Sequence, residues 1–163
     1  MTKVKKFVPG DFVVYPAHGV GQITDIDKTK VAGQDLELIV VNFDKDKMTL
    51  KIPMAKAHIT GLRSISPKSV LSDAISTLKG KAKVKRSMWS RRAAEYETKI
   101  NSGNPVHIAE VVRDLHRKNN QSEQSYSERQ IYEQALSRLA HEFAAAEKID
   151  KHMATKKLTD ILG

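Results

Sequence analysis

Apolar residues follow two different rhythms along the 163-residue chain. Over the first 64 positions they fall in short runs rich in β-branched and aromatic side chains: Phe12-Val13-Val14-Tyr15, then residues 20–26, 36–43, 48–52 and 59–62. Such runs fit a pleated, partly buried surface and predict strands. Between them stand Pro9-Gly10-Asp11, Ala17-His18-Gly19, Ala32-Gly33-Gln34 and Asp44-Lys45-Asp46-Lys47, polar or glycine-containing segments suited to hairpin turns. Five short strands with tight turns predict a small, strongly bent antiparallel sheet or barrel.

From Ser66 onward the period becomes helical. Ser66-Pro67 offers an N-cap followed by proline at N1, and Val70, Leu71, Ala74, Ile75 and Leu78 form one stripe that Gly80 ends. A second helix is expected to open near Ser87 and close before Gly103. A third starts at Asn104-Pro105 and aligns Ile108, Val111, Val112 and Leu115. A fourth begins at Ser125, with Glu128 completing a capping box, and carries Ile131, Ala135, Leu139 and Phe143. A short fifth covers residues 150–162. The expected fold is therefore α+β in two domains, a five-stranded antiparallel β-module at residues 1–64 and a bundle of about five α-helices at 65–163.

Charge sharpens this picture. The chain carries a formal net charge of +9. Residues 1–64 hold 10 basic and 7 acidic side chains, so +3, whereas 65–163 hold 18 and 12, so +6. Much of the excess lies at residues 79–92, which contain seven basic side chains (Lys79, Lys81, Lys83, Lys85, Arg86, Arg91, Arg92) and no acid. A basic stretch of this kind suits an anionic partner, because Lys and Arg displace the counterions condensed on phosphates. Within it sits Trp89, the only tryptophan.

The segment Lys85-Arg86-Ser87-Met88-Trp89-Ser90-Arg91-Arg92 joins cations, hydroxyls and a large apolar ring at a predicted helix start. Free N–H groups and the dipole of a helix N-terminus attract phosphates. An apolar side chain beside them can insert at a base step, as minor-groove proteins do. The alternative is that Trp89 is core and the lysine run a solvated linker, which is the commoner fate of each feature taken alone.

Other chemistry finds little support. Cysteine is absent, which removes disulfides, thiolate metal sites and cysteine nucleophiles and fits a reducing compartment. None of the six histidines (His18, His58, His107, His116, His141, His152) stands at a recognised metal-ligand spacing, so no metal site is expected. No nucleophile elbow or P-loop occurs, and Gly19-Val20-Gly21 reads as strand and turn glycine. The carboxylate pairs Asp25/Asp27 and Asp44/Asp46 fall on a strand and a turn, where a solvated edge is the ordinary reading. No signal-peptide core or membrane-length apolar run is present. In the β-module, Thr49-Leu50-Lys51-Ile52-Pro53 alternates and ends in proline, the pattern of an edge strand. Such an edge either accepts a partner strand or is blunted by Lys and Pro against aggregation.

Four ordered stretches carry a resemblance: Gly10-Asp11-Phe12-Val13-Val14-Tyr15-Pro16-Ala17-His18-Gly19-Val20-Gly21, Lys51-Ile52-Pro53, Trp89-Ser90-Arg91-Arg92 and Ile108-Ala109-Glu110-Val111-Val112-Arg113-Asp114-Leu115. Together they resemble the CarD/CdnL family of bacterial RNA polymerase-binding transcription regulators. The resemblance implies a Tudor-like module at residues 1–64 that binds the polymerase β subunit through Thr29, Thr49, Lys51 and Pro53. Thr29 and Lys51 stand where some relatives carry arginine, whose fork lysine cannot reproduce. It also implies that the helical domain lies on promoter double-stranded DNA at the upstream edge of the transcription bubble. Trp89 would be the minor-groove wedge, and Lys85, Arg86, Ser90, Arg91 and Arg92 would meet phosphates, stabilising the open complex. A cytoplasmic, monomeric, non-enzymatic short form of the family is expected, without the long C-terminal tail and without a cofactor. Two rivals stand beside this. A free-standing nucleic-acid-binding module would want a more basic β-domain, and a nuclease would want a carboxylate cluster.

Overall fold

A computed structural model describes residues 7–43, 47–57, 59–83, 87–117 and 124–163, and divides the chain into two units, residues 1–65 and 66–163. In the first, β1 (Phe12–Tyr15), β2 (Gly19–Val31), β3 (Gln34–Phe43), β4 (Met48–Pro53) and β5 (Arg63–Ser64) build one antiparallel sheet in the order β4-β3-β2-β1-β5. The register of β2 on β3 shifts between Ile23 and Asp25, a bulge that adds twist. Val13, Ile23, Ile39, Val41, Phe43, Ile52 and Leu62 form the core of this unit. Gly21 is required by close approach, since a Cβ there would stand 2.7 Å from Val41 Cγ1 and 2.8 Å from Phe43 Cε1.

Two strand expectations are corrected. Residues 59–62 are not a strand. A 3-10 turn at Met54–Lys56 leads into local bonds, with the Thr60 N–H donating to the Lys56 carbonyl and the Leu62 N–H to the Ala57 carbonyl. Gly61, at φ 88°, then swings the chain so that Leu62 is buried while Ile59 is exposed. The pairing falls to Arg63–Ser64 against β1 instead. Conversely, β2 runs five residues past Ile26, because Asp27 to Val31 pair with β3 in a ribbon that has no buried side. The ribbon turns at Ala32 (φ 53°) and Gly33 (φ 80°), a left-handed pair of the kind that matches strand twist.

The second unit contains α1 (Lys68–Lys79), α2 (Trp89–Asn101), α3 (Pro105–Leu115), α4 (Tyr126–Glu147) and α5 (Lys151–Leu162). Its core gathers the expected stripes: Leu71, Ala74 and Leu78 of α1, Ile108, Val111, Val112 and Leu115 of α3, and Ile131, Ala135, Leu139 and Phe143 of α4. α3 is the most enclosed for its length, burying seven of its 11 residues, whereas α2 buries only Tyr96 and Ile100. Asn104, Ser125 and Asp150 cap α3, α4 and α5 through their side-chain oxygens. Two cap details differ from the sequence pattern. Ser66 does not cap α1. Pro67 takes the N-cap position, and the Ser66 N–H donates to the buried Glu142 carboxylate at 2.8 Å. In α4 the Ser125 hydroxyl accepts from the Glu128 N–H at 3.2 Å, but the Glu128 side chain takes Arg117 at 2.9 Å, so a charged partner displaces the reciprocal half of the box.

Candidate nucleic-acid interface

The first turn of α2 has no side-chain cap, because the N-cap residue is Met88 and a thioether cannot accept strongly from the orphan N–H groups. Met88 itself is 78% exposed. An uncapped N-terminus whose neighbours are Ser90 and Arg91, both exposed, leaves donors and positive charge facing outward.

Trp89 is partly buried and packs against the helical core. Its ring lies 6.2 Å from the Tyr96 ring at a 50° tilt. The Arg92 guanidinium sits 5.4 Å from the centre of the Trp89 ring and 5.8 Å from that of Tyr96, and its Nη2 donates to the Tyr96 hydroxyl at 3.3 Å. Spacing explains this: residues 89, 92 and 96 fall on one helix face, where i, i+3 and i+4 neighbours touch. Trp89 is thus neither free nor fully core. One side is seated and stiffened by a cation–π clasp. Arg92 differs from Arg91, since its guanidinium already serves the two rings. Its buried Nε, like the buried Oγ of Ser87, finds no hydrogen-bond partner among the described residues. Lys85 and Arg86 lie outside the described residues.

The far end of α2 is fastened by polar contacts. Arg138 Nη1 donates to the Ile100 carbonyl at 3.3 Å, and Lys99 pairs with Glu110 of α3 at 2.9 Å. Burial pushes the Glu110 carboxyl up, but the Lys99 ammonium, with His107 and Arg113, outweighs this and holds it below the usual carboxylate range.

On the β-module, β4 is an edge strand. Thr49 and Lys51 project from its exposed face, Leu50 and Ile52 from the core face, and Pro53 closes it. Lys51 pairs with Asp27 of β2 at 3.4 Å, both side chains remaining substantially exposed. Thr29 is also exposed but separate: Pro53 is opposite Leu38, Leu38 opposite Asp27, and Thr29 lies two residues farther along β2. The structure therefore brings Thr49, Lys51 and Pro53 together and leaves Thr29 on the projecting ribbon. Among the described residues no group of three or more His, Asp or Glu is placed to hold a metal ion, and no helix is long and apolar enough to cross a membrane.

Both units match known families. Residues 73–159 match the family described as CarD, C-terminal domain, and residues 7–66 match the CarD-like/TRCF RID domain. The chain belongs to the CarD family. It is 27% identical over 136 residues to the candidate transcription factor YdeB of Bacillus subtilis (strain 168), covering 83% of this chain and 89% of that protein. It is also 32% identical to the 72-residue N-terminal domain of Myxococcus xanthus CarD, known from a solution NMR structure, over 39% of this chain and 84% of that domain, with a TM-score of 0.32. A CarD family member acts in RNA polymerase-associated transcription regulation, and both of its modules are present here.

Sequence reasoning singled out Trp89 and its basic neighbours but missed Tyr96, which supports the ring, and Met88, which stands exposed beside it. The i, i+3, i+4 spacing of Trp89, Arg92 and Tyr96 was the available signal.

Proposed function

We propose that this CarD family protein docks on the β subunit of RNA polymerase through the outer face of β4 and its neighbours, and grips promoter DNA at the upstream edge of the transcription bubble through the first turn of α2. Thr49, Lys51 and Pro53 form the polymerase-binding edge, with Thr29 on the ribbon as an outlying contact. Ser90 and Arg91, with Lys85 and Arg86, meet phosphates, and Trp89 fills a base step opened in the minor groove. Arg92 acts chiefly by holding Trp89.

The observation that carries this reading is the seated Trp89 ring at an uncapped, acid-free helix start. Fixing the ring before binding lowers the ordering cost that a freely rotating side chain would incur. Attachment to polymerase makes the DNA contact effectively intramolecular, with an effective concentration of order millimolar for short linkers, so weak contacts suffice. A base step already unstacked in the open complex accepts the ring more readily than an intact one. A preference of about 1.4 kcal/mol for the open form shifts its ratio to the closed form tenfold.

The test is the lifetime of open promoter complexes formed by polymerase with and without the protein. A longer lifetime that requires both polymerase β-subunit binding and Trp89 supports the proposal. If the protein bound DNA with the same affinity whether or not polymerase was present, a free-standing nucleic-acid module would replace it.

A further inference from the structure

Asp114, near the C-terminal end of α3, is a carboxylate with only 4% of its surface exposed. Its Oδ1 accepts two hydrogen bonds, from Arg113 Nε at 2.8 Å and from the backbone N–H of Lys83 at 2.9 Å. Arg113 is itself largely enclosed, and it also lies along the start of the α1–α2 connection: a Cβ added at Gly80 would stand 3.8 Å from its Cδ and Nη1. A buried carboxylate is retained only where charge and hydrogen bonds offset its lost hydration. Here one of those bonds reaches 31 residues back along the chain, to a segment with no secondary structure of its own.

The residues of that segment are exposed to solvent. Lys81 and Lys83 are exposed while the Lys83 backbone is fastened to α3. Chain reach alone keeps Lys83 within about 14 Å of Ser87. That is the span of a few successive phosphates, which advance about 3.4 Å each along one DNA strand.

We infer that Asp114 is a positioning residue that clamps residues 81–83, so that Lys81 and Lys83 stand as further phosphate ligands for the DNA that the first turn of α2 binds. The inference rests on the reading of that turn as DNA-binding. A cation on a fastened backbone meets its phosphate without the chain first having to be ordered, whereas the same cation on a loose connection must be ordered on binding.

Asp114→Ala is the obvious variant, but it strands the Arg113 charge and disturbs folding. Proline at position 83 removes the N–H donor and leaves the Arg113–Asp114 pair intact. The informative set is Lys83→Ala, which deletes the ammonium and keeps the N–H, Lys83→Pro, which deletes both, and Lys81→Ala in the wild-type and Lys83→Pro backgrounds. Open-complex lifetime is measured with the full chain and polymerase, beside thermal unfolding.

Lys83→Ala is expected to shorten the lifetime about threefold, as the loss of one exposed ion contact should. Lys83→Pro should shorten it by about tenfold or more, at a melting temperature within a few degrees of Lys83→Ala. Lys81→Ala should cost about threefold in the wild type and little in the Lys83→Pro background, a coupling that a purely structural tether does not produce. Equal lifetimes for Lys83→Pro and Lys83→Ala, or an identical cost of Lys81→Ala in both backgrounds, would overturn the clamp. Arg91→Ala and Trp89→Ala separate the two failures. If they shorten the lifetime and the Lys83 pair does not differ, the clamp alone is wrong; if they too have no effect, the DNA reading falls and takes the clamp with it.

Discussion

Trp89→Ala separates a wedge from a core residue because the two roles draw on different parts of the ring. A fully buried Trp reduced to Ala costs about 3–5 kcal/mol. Trp89 is only partly buried, and its special contacts are one tilted aromatic pair and one Arg92 cation–π contact. Taking about half the full burial value and counting those contacts within it gives about 2 kcal/mol. For a unit of this size that lowers the melting temperature by roughly 10 °C, and a domain holding about 5–15 kcal/mol stays folded at 25 °C. The DNA side of the ring is expected to contribute about 1–3 kcal/mol per stacked base. Open-complex lifetime should therefore fall roughly tenfold or more in a protein that still binds polymerase. Trp89→Phe, which keeps an aromatic face, should lie between. A folded Trp89→Ala protein with an unchanged lifetime would refute the wedge, and a melting drop near the full core value would show that the ring belongs to the interior.

Lys51→Glu places a third acid near Asp25 and Asp27 on an exposed face, and should weaken polymerase β-subunit binding by about tenfold with a small melting change, read by titration of the purified subunit. Arg91→Ala should weaken DNA contact evenly across sequences and lower the salt slope by about one, checked by binding over a range of salt concentrations. The folded-state pKa of Glu110 is depressed, so its contribution to stability is present above the ordinary carboxylate range and is lost as pH falls through the lowered value. The melting temperature of the helical unit should drop on acidification below about pH 4–5, and Glu110→Gln should flatten part of that drop. Gly21→Ala forces a methyl into Val41 and Phe43 and should destabilise the β-module by about 1–3 kcal/mol, measured by denaturant titration.

Where one face of an element is dry, the chain announces it. The α3 stripe and the Asn104-Pro105 start are realised residue for residue, and β1, β3 and β4 coincide closely with apolar runs, since burial forces periodicity. The outer half of β2 left no such trace, because residues 27–31 are held by ladder hydrogen bonds with no core beneath them. Residues 59–62 misled for the opposite reason: Leu62 is needed by the core and Ile59 is not, so an apolar run concealed a turn. At the candidate interface, the types of residue were legible and their partnerships were not. Arg91 and Arg92 are adjacent and identical in the sequence, and only helix geometry gives one to solvent and the other to two aromatic rings. Asp114 is a sharper case, since nothing local distinguishes an acid bonded to a backbone 31 residues away from one on a wet surface.

The uneven anchoring of α2 has a dynamic consequence. Tyr96 and Ile100, its two buried residues, both lie in its later turns, and Arg138 and Lys99 fasten the same end. Fraying should therefore start at the Trp89 end, where amide protons ought to exchange with solvent sooner than those of α3. Such opening frees the uncapped first-turn amides while the Trp89 ring stays seated against Tyr96 and Arg92. Promoters differ in groove width and in how readily a given step unstacks. A reader whose ring stays fixed while the amides beside it can open accommodates that variety through its backbone contacts, trading a share of its affinity for tolerance of sequence.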